Sequence, residues 1–270
     1  MIKIIPREKI KHLEWQEGEE VKKPKKNPIK NNSKDFPKDN IYYSFLEGDF
    51  AEKILGEYSK LVKEDYKNAS ALNVLSFADN VVKGSNPFAF VLLNKILREH
   101  GKWIARPSDL ERALETGVVD LKGTYGDSGL VLRDEDSKNE YLAKQLGEQI
   151  RQKGYSIGED TIMTPLAGLD IKYDSKSPHN LSFQLTDYSE IITASQLNES
   201  NHGKKFNKGD EKGLPIFEDN GSRTLYSNEN GLCRLCRDGN LDLNARLNDL
   251  ASSNSDGRVV VCAEGTSPKK

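Results

Sequence analysis

The stretch GLCRLCRDGNLDLNARLNDLASSNSDGRVVV, residues 231–261, combines regularly placed leucines and alanines with an irregular set of polar residues. Residues 239–246 alternate strictly, with Leu241, Leu243 and Ala245 on one face and polar residues on the other. Because side chains of a β-strand point alternately to opposite faces, this pattern predicts a half-buried strand with a solvated outer face. The leucines and alanines would then form an inward frame, and the polar residues would point outward.

The polar residues of this stretch are restricted in type. Residues 231–258 contain no Lys, Glu, Gln, Met or Trp, although four of the chain's eleven arginines lie there. The genetic code explains the restriction if asparagine codons, AAC or AAT, change only at their adenines. The third base then stays a pyrimidine, which excludes those five types and allows Asn, Asp, Ser, Cys, Arg and Leu. The candidate variable positions are Cys233, Arg234, Cys236, Arg237, Asp238, Asn240, Asp242, Asn244, Arg246, Leu247, Asn248, Asp249, Ser252, Asn254 and Asp256. An Asn/Asp/Ser-rich loop that arose by drift is the alternative interpretation.

With this pattern the chain resembles the variable proteins of diversity-generating retroelements, most closely their archaeal branch. The resemblance is close over residues 225–263 and looser over residues 40–265. ARPSDLERALETG, residues 105–117, is similar to the RLPTEAEWE strand-to-helix step of that fold, with Pro107 and Glu111 matching. The chain lacks the tryptophan-rich GGSW-type signature of many relatives, and residues 138–230 have no counterpart in the resemblance.

The resemblance implies a C-type lectin-like fold of the α+β class, with two main helices, an antiparallel sheet and a C-terminal variable region at about residues 231–257. The helix pair would lie at about 86–100 and 108–116, and a last strand at 258–262 would pair near the beginning of the domain. The implied function is non-enzymatic ligand binding, by a surface that adenine-specific mutagenic retrohoming diversifies. It implies no catalytic residue, metal or cofactor.

The ligand-binding energy of such a surface is expected to come from a few anchors. Recognition surfaces commonly use Trp, Tyr or Arg for this purpose. Since the candidate set contains no aromatic residue, Arg234, Arg237 and Arg246 are the expected anchors. Aspartates flank them, so the surface would suit a polar macromolecule of unknown identity, with a protein as the first candidate.

The cysteine pair Cys233 and Cys236 supports a competing interpretation as an enzyme. The formylglycine-generating enzymes share the C-type lectin fold and use a cysteine pair, and CxxC is also a redox motif. A zinc site needs four ligands, and only Cys262 and scattered histidines remain. In a strand, positions three apart face opposite sides of the sheet, which disfavours a joint metal or redox role.

Composition limits the class of protein. The chain is 36% hydrophobic and 30% charged with a net charge of −2, which argues against a general nucleic-acid or membrane binder. No specific nucleic-acid partner is expected. It has no apolar run of membrane-spanning length, and its charged first residues do not resemble a signal peptide. Three cysteines favour a reducing compartment, so cytoplasmic is the default expectation, with surface display left open.

The chain divides into two predicted parts. Residues 1–39, rich in lysine and proline, read as a flexible basic N-terminal extension, with a basic binding arm as the alternative. Residues 40–270 read as the C-type lectin-like ligand-binding domain. Within it, GDSG at residues 126–129 predicts a turn between strands rather than a serine nucleophile.

Helix and strand patterns in the second part indicate an α+β fold, because helices come early and strands late. Capping patterns are expected at Asp49 with Glu52, at Ser85, at Ser108 with Glu111 and at Ser137 with Glu140. They predict helices at about 49–66, 86–100, 108–116 and 137–154, with Gly101, Gly117 and Gly154 as stops. Strands are expected at 118–122, 130–133, 181–186, 190–194, 239–246 and 258–262.

Overall fold

A computed structural model describes residues 40–158, 160–228 and 230–265. The predicted N-terminal extension, residues 1–39, lies outside the described residues. The four α-helices of the described part are α1 (Gly48–Asp65), α2 (Pro87–Glu99), α3 (Pro107–Thr116) and α4 (Glu140–Gln152). The strands are β1 (Ile41–Phe45), β2 (Ser76–Ala78), β3 (Val81–Lys83), β4 (Lys102–Ile104), β5 (Gly126–Leu132), β6 (Ile162–Pro165), β7 (Leu169–Tyr173), β8 (Leu181–Leu185), β9 (Ile192–Thr193), β10 (Lys205–Gly209), β11 (Pro215–Phe217), β12 (Arg223–Ser227), β13 (Leu232–Arg237), β14 (Leu243–Ala245) and β15 (Val260–Glu264). The α+β class is therefore confirmed.

The strands form one large sheet, one small sheet and two hairpins. The large sheet has eight strands in the order β11-β10-β12-β14-β13-β5-β6-β9, and the small sheet has the order β1-β15-β4. β15 pairs antiparallel with β1, so the last described strand returns to the first. This pairing was predicted for the segment 258–262, although the strand itself begins two residues later than expected.

The helix α2 is buried on nearly all sides, as its sequence predicts. Its cap is Asn86 and not Ser85, because the Asn86 side chain accepts the Ala89 N–H at 2.8 Å. Pro87 occupies the first turn, where the missing N–H costs nothing. Asn94 lies inside the helix and joins it to neighbouring segments by donating to Ala167 O and accepting from Ile104 N.

The start of α3 differs from the prediction in a way that matters for the site. The box of Ser108 and Glu111 is wrong, because Arg106 is the N-cap residue and the Asp109 carboxylate accepts its backbone N–H. Glu111 is thereby left to face the large sheet. The predicted stop is confirmed, since Gly117 has a φ of +64° that favours glycine.

The other capping residues also differ from expectation. Asp49 and Glu52 lie inside α1, whose N-cap Glu47 makes no side-chain cap, and α4 begins at Glu140 after an Asn139 in the left-handed region. The helices themselves are confirmed to within a few residues. Neighbouring residues can often cap a helix about equally well, so tertiary contacts decide which of them occupies the N-cap position.

Some predicted strands are absent or shortened. Residues 118–122 form no strand, and the segment 190–194 contributes only the two-residue β9. GDSG is not a turn but the first half of β5, with Asp127 and Ser128 buried. The segment 239–246 contains only β14, because Leu241 adopts a φ of +67° in a turn.

The large sheet is covered on both faces. Leu130, Leu132 and Leu232 pack into the core that contains α2, whereas Val131 and Leu235 pack into a second core on the opposite face. A strand in such a sheet is buried along its whole length, whatever its pattern of polar and apolar residues. This double cover determines where the candidate site residues lie.

Candidate ligand-binding surface

The fifteen candidate positions divide into three groups by exposure. Six are buried: Cys233, Arg234, Cys236, Arg237, Asp242 and Asn244. Three are half-buried: Asp238, Leu247 and Asn248. Six are exposed: Asn240, Arg246, Asp249, Ser252, Asn254 and Asp256. The expectation of a solvated outer face is therefore wrong for the buried six and correct for the exposed six.

The buried group follows from the position of β13 in the large sheet. β13 lies between β5 and β14, and all six of its residues are buried. The pairing with β5 shifts by a β-bulge between Leu235 and Cys236. Because both faces of the sheet carry a core, the cysteine and arginine side chains between the leucines of β13 enter protein rather than water.

Arg234 pairs inside the protein with Asp127 of β5. Its Nε and Nη2 atoms lie 2.7 Å and 2.6 Å from the two carboxylate oxygens, and the Ser85 hydroxyl donates to the same carboxylate at 2.5 Å. Burial alone would lower the pKa of the Arg234 guanidinium, but the charge and hydrogen bonds of Asp127 raise it above its usual range. Arg234 is thus a charged structural residue and, with 2% of its surface exposed, cannot anchor a ligand in this conformation.

Arg237 shares the carboxylate of Glu111 with Arg223. Arg237 Nη2 and Arg223 Nη2 donate to Glu111 Oε1 at 2.5 Å and 2.7 Å, and Arg223 Nη1 donates to Oε2 at 2.9 Å. Burial opposes ionisation of Glu111, but the bonds and charges of the two arginines lower its pKa to about 2. Arg237 is therefore also a core residue, and of the three expected anchors only Arg246 is exposed.

Residues 246–259, which connect β14 to β15, form a segment that we call the outer loop. Buried or half-buried side chains from outside the loop hold its backbone carbonyl groups. Asn139 Nδ2 donates to Asn248 O at 2.7 Å, Asn86 Nδ2 to Ala251 O at 2.9 Å, and Arg234 Nη1 to Ser252 O at 2.9 Å. Since these bonds use the loop's main chain, they do not depend on its exposed side chains.

Further main-chain contacts fix both ends of the outer loop. Arg234 N donates to Leu247 O at 2.8 Å, and Tyr125 N donates to Asp256 O at 3.1 Å. Leu250 is fully buried between these points. Gly257 leaves no room for a side chain, because an added Cβ would lie 2.5 Å from the carbonyl carbon of Gly84.

The turn before β14 is closed by Asp238. Its carboxylate accepts the N–H groups of Asn240 and Asp242 at 2.9 Å and 3.1 Å, while Leu241 N donates to Asp238 O. Asn240 projects from this turn into solvent. Asn240 is therefore an exposed residue that precedes the outer loop in the same C-terminal segment.

Sequence reasoning missed an aromatic residue beside Arg246. The guanidinium of Arg246 lies 4.8 Å from the ring centroid of Tyr226, and His202 meets that ring edge-on at 5.9 Å. Tyr226 is opposite Asn244 in the parallel pairing of β12 with β14. The sequence carries no signal for this pairing, because the two strands are joined through β13.

The two cysteines of the CxxC pair are buried and free. Cys233 Sγ lies 3.8 Å from Asn230 O, and Cys236 Sγ lies 3.7 Å from Asn244 O. Burial raises the pKa of Cys233 against the opposing charge of Arg133, and burial together with the charge of Asp127 raises the pKa of Cys236 to about 12. Since the thiolate is the nucleophile and metal ligand, this environment disfavours both uses.

The described residues contain no group of three or more His, Cys, Asp or Glu side chains placed to hold a metal ion. Of the helices in residues 40–158, 160–228 and 230–265, none is both long and apolar enough to cross a bilayer.

Comparison with protein-family models, with curated proteins and with solved structures finds no match to this chain.

Proposed function

We propose that this protein is a non-enzymatic binder with a C-type lectin-like fold, whose C-terminal surface is diversified by a retroelement that mutates adenines. The residue pattern of 231–258 and its likeness to the archaeal variable proteins motivate the proposal. Two features of the structure support it, one in the fold and one in the outer loop.

The fold supports the proposal because the last described strand of the domain pairs with the first. β15 lies between β1 and β4, so the strand after the candidate variable segment is held by the first strand and by the strand that follows α2. The step from β4 through Arg106 into α3 occupies the segment that resembles RLPTEAEWE. A C-type lectin-like domain requires this return of the last strand to the first.

The observation that carries the proposal is the way the outer loop is held. Asn86, Asn139 and Arg234 bind its carbonyl groups from below, and Leu250 anchors it in the core. Among its exposed side chains, Asp249 and Asn254 accept N–H groups of the loop's own backbone, and Ser252 Oγ accepts from Arg234 at 3.3 Å. The main-chain bonds from Asn86, Asn139 and Arg234 do not require a particular residue type at the exposed positions, where substitutions usually change stability by about 0.5 kcal/mol or less. A loop of this construction can change its surface while keeping its fold.

This construction divides the candidate positions by role. The six buried positions are structural, because Arg234 is the counter-charge of the buried Asp127 carboxylate and Arg237 is one of two arginines bound to the buried Glu111 carboxylate. The nine exposed or half-buried positions form the recognition surface, which we call the outer face: Asp238, Asn240, Arg246, Leu247, Asn248, Asp249, Ser252, Asn254 and Asp256. Functional variation is therefore expected to concentrate there.

Arg246 is the anchor of the outer face in this copy. Tyr226 supports its guanidinium from a strand outside the candidate set, so a fixed aromatic supplements a varied arginine. A planar guanidinium donates well to carboxylates, and aspartates nearby accept hydrogen bonds. The outer face thus suits a polar macromolecular partner, and a protein surface with both charge signs is the class we propose.

An enzyme on the same fold is the alternative. It would need a reactive thiol at Cys233 or Cys236, whereas both are buried with raised pKa values. These observations favour binding over redox or formylglycine-type chemistry.

Display of two libraries tests the proposal. One library varies seven outer-face codons within the AAC-derived set and keeps Asp238 and Asp249, whose carboxylates accept backbone N–H groups. Its matched control varies the six buried codons in the same way. We expect the first library to be displayed folded at close to the parent level and to yield binders to protein targets, whereas the second loses folding. Equal loss of folding in both libraries would contradict the proposal.

A further inference from the structure

A small cavity, partly open to solvent, lies where the two sheets and two helices meet. Its volume is about 20 Å³, which is room for one particle the size of a water molecule or a halide ion. Apolar walls come from Phe90 of α2, Leu110 of α3, Ile104 of β4 and Val260 of β15. Five residues with polar side chains also line it: Thr124, Tyr125, Asp127, Arg237 and Arg258.

Two hydrogen-bond donors at this cavity lack a strong acceptor. Arg237 Nε and the Tyr125 hydroxyl are buried, and neither has an oxygen or nitrogen acceptor within residues 40–158, 160–228 and 230–265. The Tyr125 hydroxyl lies within hydrogen-bonding reach of the Cys236 thiol, but sulfur is a weak acceptor. An unsatisfied buried donor costs roughly 1–3 kcal/mol, so two at one cavity point to an occupant that accepts from both.

The charge around the cavity is positive. Glu111 is shared by Arg223 and Arg237, so two guanidinium groups bind one carboxylate, while the buried Asp242 carboxylate accepts the Thr224 N–H and forms no ion pair with either arginine within 4 Å in the described residues. Arg258 also lines the cavity, and Asp127, the carboxylate in its wall, is already paired with Arg234. The half-buried Asp238 lies near Arg237, but its carboxylate accepts backbone N–H groups and forms no ion pair with it within 4 Å.

We propose that this cavity binds a small monovalent anion of halide size, with chloride as the physiological form. Arg237 Nε and Tyr125 Oη donate to it, and the apolar walls exclude larger anions such as phosphate or a carboxylate ligand. A water molecule could accept from the same donors but would leave the excess charge uncompensated. The site would join β5, β13 and α3 beneath the outer face, and it is independent of the proposed binding function.

Crystals grown in sodium bromide test the site directly. We expect one anomalous peak inside the cavity, within hydrogen-bonding reach of both Arg237 Nε and Tyr125 Oη. A cavity that contains only water, or no density at all, would overturn the proposal.

Chloride NMR line broadening gives a second test in solution. Tyr125→Phe removes one donor and keeps the ring, so the chloride Kd should rise about tenfold. Tyr155→Phe, a half-buried tyrosine that does not line the cavity, is the matched control and should bind like the parent. Equal chloride affinity in the parent and in Tyr125→Phe would contradict the assignment, and if that variant fails to fold, the parent's bromide peak still decides.

Discussion

Asp127 and Arg234 form a buried two-pronged ion pair across β5 and β13, with both guanidinium–carboxylate distances below 3 Å. The same guanidinium reaches out to the carbonyl groups of Asp249 and Ser252 in the outer loop. One residue therefore connects the core of the large sheet to the surface that we propose binds ligands. It is predicted to be the residue of the candidate set whose loss costs most stability.

Replacing Arg234 should destabilise the protein strongly. Arg234→Ala leaves the Asp127 carboxylate buried without its counter-charge, and breaking such a pair costs about 3–5 kcal/mol. Arg246→Ala, at an exposed position of the same segment, should change the free energy of unfolding by about 1 kcal/mol or less. Urea denaturation measures both. Equal losses of unfolding free energy in the two variants would show that exposure does not distinguish structural positions from recognition positions.

The outer face should tolerate joint change. A variant with Asn240→Ser, Arg246→Ser and Asp256→Ser is expected to lose no more than about 1.5 kcal/mol of stability, since exposed substitutions are small and roughly additive. Leu250→Ala, which empties a buried position of the same loop, should cost about 2–5 kcal/mol. Thermal denaturation of the two variants compares them. A large loss in the triple variant would mean that the side chains hold the loop.

Acid should destabilise the protein through Glu111. Its pKa is about 2 in the folded protein against an ordinary 4.5, because Arg223 and Arg237 stabilise the carboxylate. A lowered folded pKa contributes stability that is present above pH 4.5 and is lost as the pH falls toward 2. The loss from this group should approach ~3 kcal/mol.

Urea denaturation between pH 7 and pH 2 measures this dependence. Glu111→Gln should remove part of the slope below pH 4.5, whereas Glu115→Gln, an exposed position of the same helix, should keep it. An unchanged slope in Glu111→Gln would place the acid-sensitive group elsewhere.

A carboxylate should stabilise the folded protein at position 233 and destabilise it at position 236. Arg133 is 6% exposed, and its Nε and Nη1 atoms lack hydrogen-bond partners in the part of the chain that the structure describes. Cys233 lies beside this guanidinium, so Cys233→Asp should supply a counter-charge and raise Tm. Cys236→Asp would add a second negative charge near Asp127 and should lower Tm. The opposite order of Tm values would contradict this account of Arg133.

Much of the helical framework follows from sequence because its signals are local. Pro87 and Gly101 bracket α2 within one short segment, and its almost wholly apolar sequence predicts its burial. The return of β15 to β1 was expected from the family resemblance, since no local signal specifies a pairing across the whole domain.

The burial of β13 was not predictable from its own sequence, in which cysteines and arginines separate the leucines. Arg234 and Arg237 find their carboxylates 107 and 126 residues away in the chain, and neither partner is marked by a nearby motif. Polar alternation also implies water only when one face of a sheet is open, and here a core covers each face. The exposure of Asp249, Ser252, Asn254 and Asp256 agrees with the sequence pattern, because these residues lie outside the strands that carry the buried positions.

Sequencing the 3′ end of the gene and its flanks tests the central claim most directly. The account predicts a near-identical template beside a reverse transcriptase gene, with AAC or AAT wherever the two copies differ at the candidate codons. Those differences should concentrate on the nine codons of the outer face and spare Arg234 and Arg237. The absence of any template, or differences that fall on bases other than adenine, would contradict diversification by a retroelement.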